Sequence, residues 1–216
     1  MSVRFSSEDL LNRAGIVHAA IMRGEVIAYP TETFYGLGVD PANAAAIERI
    51  YAIKGRRPGE ALPLIAADID ALRELGAEPP PLARRLAAAF WPGALTLVLP
   101  IAPIASTRFP EALTAGGSTI AVRVPDHPVA RAIAAIAGGL ITSTSANRSG
   151  KPAASTADDV HKALGDDIAV LVDGGTTPGG GPGGAPSTIV DVTSETPRLV
   201  RAGVVPWERV LESLKQ

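Results

Sequence analysis

Short apolar runs of four to eight residues recur along the chain, and between them the apolar residues step with helical spacing. This alternation constrains the fold most. Val26–Tyr29, 63–67, 95–100, 118–125, 139–144, 168–175, 187–192 and 198–203 read as strands. Leu10, Ala14, Val17 and Ile21 share one helical face, with Ser6 as cap and Gly24 as terminator. Asp40 and Pro41 are expected to open a helix whose inner face is Ile47, Ile50 and Tyr51. Further helices are expected near 70–75 and 82–90, through Val129, Ile133 and Ile136, from Thr156 through Val160 and Leu164, and from Trp207 through Val210, Leu211 and Leu214. The tight spacing of 187–203 leaves room only for a hairpin, so part of the sheet must be antiparallel. The expected class is α/β (α+β), a layered domain with a twisted mixed parallel/antiparallel sheet flanked by helices.

No linker divides the chain, so a single domain over 1–216 is expected, with the glycine and proline run 174–186 as a mobile loop inside it. Twenty Lys and Arg against 22 Asp and Glu give a net charge of −2, which does not suggest a dedicated nucleic-acid binder. The absence of cysteine excludes disulfides, thiolate metal sites and a thiol nucleophile. The N-terminus carries acids where a signal peptide has its apolar core, and the longest strongly apolar run, Ala132–Ile141, is far short of a bilayer span. No membrane association and a cytoplasmic location are therefore expected.

Several nucleotide and hydrolase motifs are missing. There is no G-x-x-x-x-G-K-[ST] and no G-x-S-x-G. Gly179, Gly181 and Gly184 match G-x-G-x-x-G, but they follow a turn and precede a strand, where a dinucleotide site needs strand, glycines and then helix. His18, His127 and His161 stand far apart without ligand spacing, so no protein-bound metal is expected.

What stands out is a set of polar residues at element ends. Lys54-Gly55-Arg56-Arg57-Pro58, taken alone, reads as cations at a helix C-terminus followed by a stop. In "STIAVRVP" the alternation puts Thr119, Ala121 and Arg123 on one strand face, where the plain reading is solvent exposure. "STSANRSG" (143–150), Ser187 with Thr188, Arg201, and the loop "PTETFYGLG" (30–38) complete the set. Hydroxyls and cations with few acids are what a polyphosphate and a carboxylate require.

The motifs "YPTETFYGLG", the K-x-R of Lys54 and Arg56, "TIAVRVP", the S-x-N of Ser145 and Asn147, and "PSTIVDV" resemble, in order, the YrdC-type family, whose members are L-threonylcarbamoyladenylate synthases. The resemblance runs from about residue 10 to the end. It implies a YrdC-like fold in single-domain form, without the C-terminal domain some members carry. It also implies a nucleotidyltransferase reaction in which L-threonine, bicarbonate or CO2, and ATP with Mg²⁺ give threonylcarbamoyl-AMP and pyrophosphate. The product would pass to a tRNA threonylcarbamoyl transferase, and direct RNA binding is open. By motif match Lys54 and Arg56 would hold the ATP phosphates and carry catalysis. Thr119, Ser143, Ser145, Asn147 and Arg201 would complete the nucleotide site. Thr31, Arg123 and Ser187 would bind threonine, with Thr119 lying between the two substrates. A carbamate is already an anionic nucleophile, so positioning and charge neutralisation would suffice. The PTET loop would be one wall of the amino-acid pocket, its glycines letting backbone approach the ligand, and 174–186 would act as a lid.

The chain departs from the family at Ala66, Ala67 and Asp68, where members often carry a histidine, at Pro186, where a glutamate is common, and at the extra Arg57. An altered substrate, an RNA-binding module of the same fold, and a carbamoyl-transfer enzyme are the alternatives left open.

Overall fold

The expected strands pair into two sheets, not one. The computed structural model describes residues 2–55, 60–76, 78–103, 107–181 and 184–215. The first sheet runs in the order β1 (Val3–Ser6), β9 (Val170–Asp173), β2 (Ile27–Tyr29), β3 (Gly36–Gly38), β8 (Thr144–Ser145). Its first three strands are parallel, and β3 and β8 add antiparallel. The second sheet runs β11 (Arg198–Arg201), β10 (Thr188–Asp191), β5 (Leu95–Pro100), β6 (Thr119–Arg123), β4 (Leu64–Ala66), β7 (Leu140–Thr142). Here β10–β5 and β6–β4 are parallel and the other pairs antiparallel, including the β10–β11 hairpin that the short spacing demanded.

The split into two sheets has a local cause. The stretch 139–144 reads as one strand, but β7 pairs with β4 while β8, two residues on, pairs with β3. Ser143 is the residue at which the chain leaves one sheet for the other, and its N–H donates to the Pro63 carbonyl at 2.7 Å. Gly38 makes this junction possible. A Cβ there would lie 2.7 Å from Ile141 Cδ1 and 2.8 Å from the Tyr29 ring, closer than real Cβ contacts allow.

Seven α-helices cover the sheets: α1 (Ala14–Met22), α2 (Ala44–Lys54), α3 (Pro81–Phe90), α4 (Glu111–Thr114), α5 (Pro128–Ile136), α6 (Ala157–Leu164) and α7 (Trp207–Ser213), counted among the described residues. Thr156 caps α6 as expected, accepting from Asp159 N at 3.1 Å. Two other expected caps differ. Ser6 caps a separate 3-10 turn, Ser7–Asp9, and α1 starts only at Ala14. Asn43, not Asp40, caps α2, because the Asp40 carboxylate is already turned onto Ala42 N at 2.8 Å. Gly55 ends α2 in the left-handed conformation at φ 61°, which glycine adopts without cost.

The buried residues form two clusters. Tyr35, Leu37, Ile47, Ile50, Leu64, Leu97 and Val122 belong to the larger, and Val17, Ile21, Ile27, Tyr29, Ile65, Ile133 and Val170 to the smaller. Adjacent residues Leu64 and Ile65 fall into different clusters, so β4 is buried on both faces. Among the described residues no helix is long and apolar enough to cross a membrane.

Candidate functional site

A cavity of about 660 Å³ opens where the two sheets part. Its walls come from the PTET loop (Thr31, Thr33–Gly36), the end of α2 (Lys54), β4, β5 and β6 (Ile65, Thr96, Arg123), the 143–151 segment, Ser187 just before β10, and β11 (Arg201). Of the expected site residues, Thr31, Lys54, Arg123, Ser143, Ser145, Asn147, Ser187 and Arg201 all line it. Thr119 does not. It shares a strand face with Arg123 but stands at the start of β6, opposite Pro100, while Ala121 and Arg123 reach the cavity. Arg56 and Arg57 lie outside the described residues.

Lys54 is buried, and its ammonium donates to Ser145 O (2.6 Å), Asn147 O (3.0 Å) and Asn147 Oδ1 (2.9 Å). Ser145 Oγ donates to the same Oδ1 at 2.7 Å. Lysine's charge thus organises the S-x-N turn, and Ser149 N returns a bond to the Lys54 carbonyl at 2.8 Å. In the same cavity Arg201 forks onto Ser187, with Nη2 at 2.8 Å from its carbonyl and 3.0 Å from its hydroxyl. Burial and the nearby positive charge of Arg123 both lower the Arg201 pKa from its ordinary value. Ser187 Oγ is 2.8 Å from Thr96 Oγ1, so Thr96 is a site residue that sequence reasoning missed. Its signal was a lone threonine inside the apolar run "LTLVLP".

Arg123 is not the solvated strand-face residue of the plain reading. The PTET loop folds over that face, leaving the Arg123 side chain 8% exposed and paired through Nη1 with Glu32 Oε1. Desolvation lowers the arginine's pKa, and the charge of Glu32 opposes that shift. Glu32 Oε2 is buried and has no hydrogen-bond partner, as is His127 Nδ1. Burial, then the charge of Arg131, holds the His127 imidazole below its usual pKa.

The Thr31 hydroxyl is engaged within its own loop. It donates to Phe34 O at 2.7 Å and accepts from Thr33 N at 3.1 Å, with Thr33 Oγ1 at 2.9 Å. Thr31 therefore shapes the wall of the cavity as well as lining it. Of the loop's glycines, Gly36 lines the cavity, whereas Gly38 serves the Tyr29–Ile141 packing described above.

The described part of the glycine loop is anchored on the same wall. Tyr35 OH accepts from Gly174 N at 3.0 Å and donates to Gly175 O at 2.8 Å, and Gly179 N donates to Thr33 O at 2.6 Å. A Cβ on Gly179 would overlap the Thr33 carbonyl, and one on Gly184 would overlap the backbone of Gly179. These two glycines permit close packing.

The family model described as "Telomere recombination" (Sua5/YciO/YrdC) matches residues 19–203. A Bacillus subtilis protein named threonylcarbamoyl-AMP synthase is 42% identical over 193 residues, covering 89% of this chain and 54% of its own length. A Thiobacillus denitrificans protein of the same name is 41% identical, covering 86% of this chain and 93% of its own. The structure of Pyrococcus abyssi Sua5 complexed with L-threonine superposes with a TM-score of 0.85 at 35% identity, over 99% of this chain and 60% of that one. The chain thus spans about half the length of the B. subtilis relative. It belongs to the Sua5/YciO/YrdC family.

Proposed function

We propose that this family member is a nucleotidyltransferase that makes threonylcarbamoyl-AMP from L-threonine, bicarbonate or CO2, and ATP, releasing pyrophosphate. The observation that carries this reading is that Arg123, Lys54, the 143–147 segment and Arg201 line one cavity. The bound L-threonine of the P. abyssi relative and the synthase names of the other two support it. In this reading the Arg123 fork holds the α-carboxylate of threonine. Ser143, Ser145, Asn147 and Arg201 hold the nucleotide, with Ser187 beside both substrates. Lys54, and with it Arg56, neutralises the phosphates. Thr119, one step back on β6, would act through its neighbours.

The chemistry needs little from the protein beyond placement. The threonine nitrogen adds to CO2 and loses a proton, giving a carbamate. A carbamate oxygen attacks the α-phosphorus, and the bond to pyrophosphate breaks. Holding the two partners in one cavity supplies the proximity, and fixed cations meet the charge that grows on the phosphates. Among the described residues no group of three or more His, Asp or Glu could hold a metal ion. Mg²⁺ would enter with ATP, and its charge would offset that of the phosphates. The product would pass to a tRNA threonylcarbamoyl transferase in the cytoplasm.

The test is pyrophosphate release from MgATP, with L-threonine and bicarbonate supplied or withheld in turn. Release that needs both is the expected result. Release indifferent to threonine, or none from folded protein, would overturn the reading.

A further inference from the structure

Arg123 lines the cavity, whereas Glu32, its partner, is not among the lining residues and acts from behind it. The Glu32 side chain is only 14% exposed, and Oε2 is buried with no hydrogen bond. As a stability device this is poor, because a buried ion pair barely offsets its own desolvation, and an orphaned carboxylate oxygen adds to the cost. A role in ligand choice accounts for it better.

The cavity that would take ATP already contains Arg201 and Lys54. A second buried guanidinium without a counter-ion would attract phosphate or bicarbonate as readily as an amino acid. With Glu32 behind it, Arg123 belongs to a pair of zero net charge. A simple anion placed there adds an unbalanced buried charge. A zwitterion adds none, since its carboxylate takes donors of Arg123 not used by Glu32 and its own ammonium balances that carboxylate.

We infer that Glu32, paired behind Arg123 and buried with one oxygen unpartnered, makes this end of the cavity select zwitterionic amino acids over simple anions. The inference deepens the synthase reading and rests on it. The experiment is calorimetric titration of the full chain with L-threonine and with (R)-3-hydroxybutanoate, which is L-threonine without its amino group, and competition by inorganic phosphate. Wild type is expected to prefer threonine strongly and to ignore phosphate at this site. In Glu32→Gln the preference for threonine is expected to fall about tenfold or more, and phosphate should now compete. Glu32→Asp, which keeps the charge, should retain the preference. An unchanged preference in a folded Glu32→Gln variant would overturn the inference and leave the synthase reading standing. If that variant does not fold, the wild type still decides: hydroxybutanoate binding as tightly as threonine, or phosphate competing with it, would overturn the inference. Wild type that binds no threonine would remove both.

Discussion

Arg123 and Arg201 line one cavity and are held in opposite ways. Arg123 is steered by a carboxylate and is nearly sealed from solvent. Arg201 is steered by the carbonyl and hydroxyl of Ser187, and Lys54 likewise points at the neutral oxygens of Ser145 and Asn147. A neutral acceptor fixes a cation's direction without cancelling its charge. A carboxylate fixes it and cancels it. Arg201 and Lys54 therefore keep their positive charge beside the cavity, whereas Arg123 with Glu32 is a preset fork of near-zero net charge. In the proposed synthase this difference would let two ligands that both carry anionic groups share one cavity without exchanging places.

The largest consequence is in stability. Arg123→Ala leaves Glu32 buried without its counter-charge, and the expected loss is about 3–5 kcal/mol in urea unfolding. Arg201→Ala removes bonds to neutral groups only and is expected to cost about 1 kcal/mol. Equal losses would break the comparison. A smaller effect sharpens it on the Arg201 side. Thr96→Val removes the hydroxyl that bonds Ser187. With Ser187 beside both proposed substrates, it should cost about 1 kcal/mol, roughly fivefold, in the binding of each.

The smallest effect lies at the surface, where arginine meets acids under solvent. Arg4 donates to Asp173 at 2.7 Å and to Asp158 at 2.6 Å, and its side chain is 41% exposed. The bond from Arg4 holds the Asp173 carboxyl below its ordinary pKa. A carboxyl with a depressed folded pKa contributes stability that is complete above its unfolded value, about 3.9, and is lost as pH falls through the lower folded value. Arg4→Ala should flatten that acid limb, and at neutral pH it should cost under about 1 kcal/mol because solvent screens the pair. Denaturation midpoints at pH 7 and below pH 4 would show both effects. A loss like that of Arg123→Ala would mean that burial is not what sets the difference.

Much of this site was legible before the fold. Lys54, Arg123, Ser145 and Asn147 stand at element ends, and strand alternation alone put Arg123 opposite the apolar face of β6. Alternation could not show that a loop whose Glu32 is 91 residues away in sequence folds over that face, so Glu32 and the burial of Arg123 were invisible. The same limit explains the second sheet. Residues 139–144 form one apolar run, and only long-range pairing decides that the chain changes partner at Ser143. Strand β1 was missed although Val3 and Phe5 alternate with Arg4 and Ser6, because four residues carry too little periodicity to be distinguished from a tail. The glycine loop was read as mobile from composition. Gly179 and Gly184 are there because side chains would collide, and composition cannot separate freedom from tight packing.

The central claim is that Arg123 and Arg201 serve different ligands, and crossed titrations test it most directly. Arg123→Lys keeps a cation for Glu32 and loses the planar fork. L-Threonine should bind this variant about tenfold or more weakly, with ATP binding changed by less than about threefold. Arg201→Ala should show the reverse. If Arg123→Lys weakened ATP as much as threonine, or Arg201→Ala weakened both equally, the two arginines would serve one undivided anion site and the account would be wrong.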